Sequence, residues 1–294
     1  QDRPFIEAAT SKFGWDEQIA RAYDYVSSSG HVDKRRPRSI DVASRVIELG
    51  MDRESVIATL LSDPGLRQVL AIEQIETEFN ATIAGLTKGV NQLNTLKEGK
   101  QARLDSPEQA EKLRRLLMAI ISDARVMLIK LCYRVERLPL LKHDDYEQRR
   151  GIAQETLDIF APLANRLGMG LLKWELEDLA FRVLEPQAYK RIAKLLEEKR
   201  SEREAFIKRF GEHLGSLLED QEIKANVQGR VKHIVSIWRK MQRKNLEFHE
   251  LFDVRAVRIL VGSVADCYAV LGIVHTSWQH IPQEFDDYIA NPKG

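Results

Sequence analysis

Hydrophobic residues recur at helical spacing along the first two thirds of the chain. In SIDVASRVIELG, residues 39–50, one apolar stripe consists of Ile40, Ala43, Val46 and Ile47. Gly50 marks the predicted end of this helix, because glycine is favoured just past a last helical turn. The same periodicity continues through RESVIATLLSD, IEQIETEFNATIAGLTKGVNQL and ARVMLIKLCYRVERL, the last of them apolar enough to be buried. The pattern predicts an almost entirely helical segment up to about residue 210.

A polar segment interrupts this helical part. LKEGKQARLDSPEQ, residues 96–109, lacks periodicity and is predicted to be a loop. Ser106 and Pro107 then suit the N-cap and first turn of a helix in EQAEKLRRLLMAIISD.

Three further helices are predicted before the pattern changes. YEQRRGIAQETLDIFAPLANRLG and LLKWELEDLAFRVL form a predicted helical pair around Gly168 and Gly170. A long, heavily charged helix follows Pro186, and Gly211 is its candidate break point.

Near residue 221 the pattern becomes one of strands alternating with helices. EIKANVQG and VRAVRILVG are predicted strands, and GRVKHIVSIWRKMQRKN and VADCYAVLGIVHTSW are predicted helices. The final EFDDYIANPKG is predicted to be a loop. This order predicts a small mixed sheet with helices packed on it. The fold class is therefore mainly α, with helical residues 1–185, a connecting helix at 186–220 and an α/β part at 221–294.

Composition limits what this chain can do. It has 45 Lys and Arg against 44 Asp and Glu, so any basic binding site must be local. No apolar run is long enough to cross a bilayer, and no signal peptide opens the chain. Cys132 and Cys267 each lie in an apolar run and are predicted to be core thiols in a reducing cytoplasm. The start, QDRPFIEAA, lacks Met and resembles the interior of a longer protein.

The basic helix in residues 229–245 is the strongest candidate for chemistry. Its apolar stripe consists of Ile234, Ile237, Trp238 and Met241. The opposite face carries Lys232, Ser236, Arg239, Lys240 and Arg243. Gly229 and Arg230 stand where a strand ends and this helix begins, a position that suits phosphate binding. On composition alone a solvated amphipathic helix is the favoured interpretation, and the balanced net charge disfavours a nucleic-acid surface.

The next predicted strand adds a carboxylate to these cations. ELFDVRAVRI places Asp253, Arg255 and Val257 at alternate positions, with Arg258 after them. An acidic residue that leads into a strand beside a cationic helix suits a magnesium nucleotide, with carboxylate on metal and cations on phosphate.

Several segments resemble the RelA/SpoT family. GRVKHIVSIWRKMQRKNLEFHELFDVRAVRI, DCYAVLGIVHTSW and DDYIANPKG resemble its synthetase domain, and FAPLANRLGMGLLKWELEDLAFRVLEPQAYKRI resembles its linking helices. The resemblance implies an HD-type all-helical domain followed by the start of a nucleotidyltransferase-like synthetase domain. Family members transfer pyrophosphate from ATP to the 3′-hydroxyl of GTP or GDP, which produces the alarmone (p)ppGpp of the stringent response.

The resemblance also implies roles for individual residues. Arg230 would stack near adenine, and the phosphates of ATP would contact Lys232, Ser236 and Lys240. Asp253 would bind Mg²⁺ and, with Lys240 and Arg230, carry the reaction. Lys293 would meet the phosphates of the guanine nucleotide, and Arg258 is assigned to the same site.

The helical domain departs from the family's hydrolase pattern. There, two His, the Asp of a His-Asp pair and a later Asp hold manganese, and a Glu-Asp pair supports the attacking water. The family pattern also includes a late Asn. In this chain the corresponding positions are occupied by Arg38, Ser62, Asp63, Leu66, Arg67, Tyr133 and Arg137. Because one carboxylate cannot hold the metal, we expect no Mn²⁺ and no hydrolysis, as in the monofunctional branch.

An acidic loop near residue 285 also resembles the monofunctional branch of the family. Glu284, Asp286 and Asp287 stand where bifunctional members carry a basic motif. They suit either a functional role, as ligands of an additional Mg²⁺ or as determinants of nucleotide preference, or a solvated acidic loop, and the sequence favours neither.

Two other functions compete with synthesis, namely a non-catalytic nucleotide-binding regulatory fragment and a helical scaffold for RNA. The expected partners are ATP and GTP or GDP, with no membrane, and ribosome and tRNA would be read by modules beyond residue 294. The family's guanine-stacking Tyr and second magnesium ligand also lie past residue 294. We therefore expect these 294 residues alone to be inactive.

Overall fold

The structure of the chain is a computed structural model. It describes residues 2–14, 16–30, 33–95, 111, 123–198, 200–230, 233–251, 256–281 and 285–292. The predicted polar loop at 96–109, with Ser106 and Pro107, lies outside these ranges. The chain divides into two compact units, Gln1–Pro186 and Gln187–Gly294.

The first unit is a helical array around one continuous apolar core. Its helices are α1 (Arg3–Phe13), α2 (Glu17–Ser29), α3 (Ser39–Glu48), α4 (Arg53–Leu61), α5 (Ile72–Glu78), α6 (Ala81–Asn94), α7 (Ala124–Arg137), α8 (Tyr146–Glu155), α9 (Ala161–Arg166) and α10 (Gly170–Leu184). Short 3₁₀ turns span Pro64–Leu66 and Leu138–His143. The predicted fold class, mainly α, is confirmed.

Acidic and amide side chains start many of these helices. The carboxylates of Asp16, Asp52 and Asp145 accept hydrogen bonds from backbone amides in the first turns of α2, α4 and α8, at 2.8–2.9 Å. Asn80 does the same for α6, where its Oδ1 accepts from the Ile83 amide at 2.8 Å. These caps satisfy backbone donors that a helix start leaves without a partner.

The predicted core stripes agree with the structure. Ile40, Ala43, Val46 and Ile47 of α3 are all buried. Helix α4 is buried on nearly every side, from Ser55 to Leu61, because it lies between α2, α3 and α6. Helix α7 is buried as predicted, and Gly50 follows α3 in a left-handed conformation, with φ of 82°.

Two details of the helical pattern differ from expectation. The segment IEQIETEFNATIAGLTKGVNQL forms two helices, because Asn80 adopts an extended conformation and caps α6. Between α8 and α9, residues Thr156–Phe160 form a π-helical turn. Pro162 follows in the first turn of α9, and since it has no N–H to donate, the regular hydrogen-bond ladder cannot continue through it.

The second unit pairs two long helices with a small sheet. Its elements are α11 (Pro186–Glu198), α12 (Arg200–Asp220), β1 (Ala225–Arg230), α13 (Ile234–Lys244), β2 (Ala256–Val261) and α14 (Val264–Ser277), with a 3₁₀ turn at Phe248–Glu250. The two described strands are antiparallel, with Ala225 opposite Val261 and Arg230 opposite Ala256. The predicted break at Gly211 is wrong, because α12 continues through it. A Cβ placed at Gly211 would meet Val227 of β1 at an ordinary 3.7 Å.

The second unit has two separate apolar clusters. One joins Ile192 of α11 to Ile237 and Met241 of α13, and the other joins Leu214 and Leu218 of α12 to the sheet and α14. Cys132 is buried as predicted, but the same prediction for Cys267 is wrong. Helix α14 buries only Val270 fully, and the Cys267 side is exposed despite its apolar sequence.

Candidate functional site

The basic helix α13 is amphipathic, as its sequence predicts. Ile237 and Met241 are buried, and Ile234 and Trp238 pack at the edge of the same cluster. Val235 is also buried, although it lies off the predicted stripe. Burial of this apolar stripe fixes which face of α13 the polar residues occupy.

Ser236 and Lys240 form one row on the polar side of α13. They are four residues apart, so their side chains lie one above the other on the helix surface. Both are half-buried, whereas Arg239 and Arg243 are exposed. Of the three residues expected to contact ATP phosphates, the two that the structure describes are therefore less exposed than Arg239 and Arg243.

Strand β1 leads directly to this helix. It ends at Arg230, three residues before His233, which precedes the first turn of α13. Gly229 lies close to α12, because a Cβ there would be only 2.9 Å from Cγ2 of Ile207. A larger residue at this position would require Ile207 or the strand to shift.

Strand β2 places Arg258 on the exposed side of the sheet. Arg258 lies opposite Gln228 of β1, while its neighbours Ile259 and Val261 pack toward α12 and α14. The other predicted site residues, Lys232, Asp253, Glu284 and Lys293, lie outside the described residues, as does the side chain of Arg230. Their assignments stay predictions.

The described acidic residues near the end of the chain make local hydrogen bonds. Oδ1 of Asp287 accepts from the amides of Ile289 and Ala290, both at 2.9 Å, and its Oδ2 accepts from the Tyr268 hydroxyl at 3.1 Å. Asp286 accepts from Tyr288. The Ala290 amide above all lowers the pKa of Asp287 below its ordinary value. Since both Asp287 oxygens already have donors, this residue fits a turn better than a magnesium ligand.

In the first unit, Arg38 stands at the position expected for the family's first metal ligand. Its guanidinium donates to Asp41 at 2.6 Å and to Asp2 at 2.7 Å. The bond to Asp41, and then the bond to Asp2, raise the pKa of Arg38 despite the opposing effect of partial burial. Arg38 therefore joins the start of α3 to the start of the chain and acts as a structural ion-pair residue.

Asp63 is the one carboxylate retained from the expected metal set, and it is nearly buried. Its Oδ2 accepts from the Ser39 hydroxyl at 2.7 Å, and its Oδ1 accepts from the Gly65 amide at 2.8 Å. The Ser29 hydroxyl lies 3.5 Å from Oδ1. Asp63 thus links the ends of α2 and α4 to the start of α3 through neutral donors.

Four of the seven degenerate hydrolase positions line one cavity of about 350 Å³, and they are Ser62, Arg67, Tyr133 and Arg137. Leu66 instead belongs to the buried core, and Arg38 and Asp63 lie outside the cavity lining. The cavity is thus the place where positions distant in sequence come together.

The cavity also contains cations that sequence reasoning missed, namely Arg35, Arg36 and Lys130. Lys130 is only 5% exposed, donates to Oδ1 of Asn94 at 2.8 Å and lies 4.5 Å from the centre of the Tyr133 ring. The signal was available in DKRRPR, a run of basic residues ahead of α3. Nothing in the sequence marked Lys130, because a lysine within an apolar helix has the same pattern as any other polar position of an amphipathic helix.

Partial loss of water, and then the like charge of Arg36, lower the pKa of the Arg67 guanidinium at the cavity rim. Arg137, which also lines the cavity, is paired with Asp144, and both side chains are almost fully buried.

Among the residues that the structure describes, no three His, Cys, Asp or Glu side chains are grouped closely enough to hold a metal ion. Every described helix is too short or too polar to pass through a lipid bilayer.

Sequence comparisons place these two units among known proteins. Residues 29–170 match a family described as "HD domain", and residues 229–294 match a family described as "Region found in RelA / SpoT proteins". The first match contains the cavity, and the second contains α13 and β2.

The similar curated proteins are named GTP pyrophosphokinase. The one from Escherichia coli K12 is 45% identical over 276 residues, 92% of this chain and 37% of its own length. That from Photobacterium angustum is 45% identical over 258 residues, 87% of this chain and 35% of its own length. That from Streptomyces coelicolor is 36% identical over 296 residues, 99% of this chain and 34% of its own length. The chain spans about a third of the length of these relatives.

Two matching families in consecutive order, together with extensive identity to these relatives, lead to one conclusion. The chain belongs to the RelA/SpoT family.

Proposed function

We propose that the protein carrying this chain is a (p)ppGpp synthetase that transfers pyrophosphate from ATP to the 3′-hydroxyl of GTP or GDP. The observation that supports this most directly is the row formed by Ser236 and Lys240, half-buried on a helix that follows the Arg230 end of β1. It lies within the segment that matches the RelA/SpoT region, and the similar proteins are named GTP pyrophosphokinase.

The chemistry asks for binding and positioning more than for a protein nucleophile. Displacement of AMP at the β-phosphorus requires neutralised phosphate charge and an in-line acceptor hydroxyl. Lys240 would contribute a charge-assisted hydrogen bond to the ATP phosphates, with Lys232 beside it, and Ser236 would donate a neutral one. Arg230 would hold the adenine, while Arg258 and Lys293 would help to hold the nucleotides.

Magnesium is part of the proposal only as a bound neutralising ion, with Asp253 as its expected ligand. Asp253 lies outside the described residues, and the hydrogen bonds of Asp287 speak against it as a second ligand. Bound Mg²⁺ would neutralise phosphate oxygens. The structure of this chain therefore allows one part of the proposed function to be tested, namely that the protein's own cations bind ATP.

For the first unit, we propose that the family's hydrolase activity has been lost. Asp63 is retained, but its two oxygens accept from Ser39 and Gly65, and Arg67 adds a cation nearby. A transition metal needs several nitrogen and oxygen ligands, and side chains such as Leu66, Tyr133 and Arg137 cannot replace them. The protein would then synthesise the alarmone in the cytoplasm during the stringent response, with tRNA and ribosome as further partners of longer family members.

The test is synthesis itself. The 294-residue chain extended by about a hundred residues of its own gene, enough for a typical small domain, is incubated with labelled ATP and GDP. Chromatography should show alarmone, and Lys240→Ala should lower the rate by roughly ten-fold or more, the effect of one lost charge-assisted contact. Arg243→Ala, an exposed cation of the same helix, is the matched control and should leave the rate nearly unchanged.

Two outcomes would contradict the proposal. ATP binding without turnover in the extended protein would favour a nucleotide-binding regulatory role. Equal rates in the Lys240 and Arg243 variants would mean that the cationic face is generic and that the reaction is carried by other residues.

A further inference from the structure

The small sheet of the second unit has one covered face and one open face. On the covered face, alternate residues of both strands pack in the apolar cluster of α12 and α14, namely Ala225, Val227, Ile259 and Val261. The residues that alternate with them are exposed, namely Asn226, Gln228, Arg258 and Leu260. Because side chains alternate across a strand, these four share the open face of the sheet. That face therefore presents amides and a guanidinium to solvent.

Gln228 and Arg258 are direct neighbours on the open face. They lie opposite each other in the antiparallel register of β1 and β2. Opposite residues in such a pair have Cβ atoms about 4.5–5.5 Å apart and side chains on the same side of the sheet. Both side chains are exposed, and within the described residues neither takes part in a side-chain hydrogen bond or ion pair. The amide of Gln228 is thus available to a ligand that Arg258 also contacts.

Packing on the covered face fixes the orientation of Gln228. Its neighbour Gly229 faces α12, where an added Cβ would lie 2.9 Å from Cγ2 of Ile207. A shift of the strand by one residue would turn Gln228 toward Ile207 and bury its amide against an apolar side chain. The amide is therefore held on the open face by the close approach of β1 to α12.

Gln228 also lies between two positions of the proposed nucleotide site. Arg258 is directly across from it, and Arg230, which is proposed to hold the adenine, follows two residues later in β1. Two residues of a strand span only about 6–7 Å. A base held at Arg230 would therefore lie within reach of the Gln228 amide.

A carboxamide is well suited to the edge of adenine. Its oxygen accepts a hydrogen bond from the N6 amino group, while its nitrogen donates one to N7. A 6-oxo purine cannot make the same two-point contact, because a carbonyl oxygen replaces the amino group. The amide oxygen would then face a second acceptor, and a polar group left without its partner weakens binding.

We propose that Gln228 determines the base specificity of the nucleotide donor by pairing its side-chain amide with N6 and N7 of adenine. The inference rests on the proposed synthetase function and adds the residue that distinguishes ATP from other purine triphosphates. Gln228 contacts the base and not the phosphates, so it governs the choice of donor rather than the transfer of pyrophosphate.

The experiment is calorimetric titration of the 294-residue chain with ATP and, separately, with inosine triphosphate, both in the presence of Mg²⁺. The two nucleotides carry the same triphosphate and differ at position 6 of the base. Wild type should bind ATP roughly ten-fold more tightly, the discrimination expected of one two-point contact. Gln228→Ala should weaken ATP binding by about the same factor and leave inosine triphosphate nearly unchanged, so that the two affinities converge.

Two variants serve as controls. Asn226→Ala removes an amide from the same open face, opposite Leu260 and farther from Arg230, and should keep the wild-type preference for ATP. Lys240→Ala should weaken both nucleotides alike, because its proposed contact is with the phosphates that they share. Gln228 and Asn226 are exposed, so neither substitution should affect folding, which unfolding midpoints would verify.

The outcomes separate this inference from the proposed function. Weakened binding of both nucleotides in Lys240→Ala, with an unchanged preference in Gln228→Ala, would overturn the role of Gln228 and leave the synthetase proposal in place. Equal affinity of wild type for the two nucleotides would also overturn it, as would the same loss of preference in Asn226→Ala. The absence of ATP binding by wild type would contradict both proposals.

Discussion

The guanidinium of Arg137 and the carboxylate of Asp144 form a two-point ion pair in the wall of the cavity. Nη2 donates to Oδ1 at 2.8 Å, and Nη1 lies 2.8 Å from Oδ2. The two side chains are 2% and 1% exposed. The pair joins the end of α7 to Asp144, two residues before the start of α8, so it holds together two segments that shape the cavity.

Loss of one partner of this pair should be much more harmful than loss of both. Arg137→Met leaves Asp144 as an uncompensated buried charge, which typically costs about 3–5 kcal/mol. The double variant Arg137→Met/Asp144→Leu removes both charges and should recover most of that loss. Urea unfolding of the first unit measures these free energies. Equal destabilisation in the single and double variants would mean that the pair acts only through packing.

The ion pair also illustrates what the sequence could not predict. The apolar periodicity was enough to predict α3, α4 and α7, since burial of one face follows from the order of residue types. It gave no information on pairing between charges, because Arg137 and Asp144 come together only through the 3₁₀ turn at Leu138–His143. The excess of cations in the cavity is a property of the assembled walls for the same reason.

The second unit shows a related limit. Strand and helix order around Arg230 and Lys240 was predictable from alternation and periodicity. Exposure of Cys267 was not, because an apolar helix is buried only as far as neighbouring elements cover it. Helix α12 also continues through Gly211, although local propensity favours a break there, and the residues around Gly211 pack in one apolar cluster with the sheet.

The stability of the first unit should depend on pH through the ion pairs of Arg125. The bond from Arg125 above all lowers the pKa of Asp123, and Arg125 also reaches Asp52 at 2.9 Å. A lowered carboxyl pKa contributes stability above the unfolded pKa of about 3.9, and that contribution is lost as pH falls through the folded pKa. These side chains are partly exposed, so the effect should be about 1 kcal/mol or less.

Urea unfolding between about pH 6 and pH 3 tests this relationship. Wild type should lose more stability over that interval than Arg125→Gln, in which the two carboxylates no longer have their cation. Parallel pH curves for the two proteins would contradict the assignment of this dependence to Arg125.

The two cysteines should differ sharply in reactivity. Burial raises the pKa of the Cys132 thiol to about 12, so almost none of it is thiolate at neutral pH. Cys267 is exposed. Ellman's reagent should therefore label one thiol of the native chain quickly and the second only in denaturant, and Cys267→Ser should abolish the fast phase. Rapid labelling of two thiols in the native protein would contradict the packing around α7.

The first unit should not hydrolyse the alarmone. Labelled ppGpp incubated with the chain and millimolar Mn²⁺ should release no pyrophosphate at an enzymatic rate, because Arg38, Ser62 and Tyr133 replace expected metal ligands. An active hydrolase of the same family, assayed in parallel, serves as the positive control. Enzymatic release that disappears in Asp63→Asn would show that a working metal site exists after all.

The central claim is that the row of Ser236 and Lys240 on α13 binds the phosphates of ATP, and its most direct test is calorimetric ATP binding by the 294-residue chain in the presence of Mg²⁺. Lys240→Ala should weaken binding by roughly ten-fold or more, since it removes a contact of about 1.5–3 kcal/mol. Arg243→Ala, on the exposed part of the same helix, should change the dissociation constant by less than about two-fold, the size expected of a screened surface charge. Indistinguishable ATP affinities for wild type and Lys240→Ala, or equal losses in the two variants, would contradict the account.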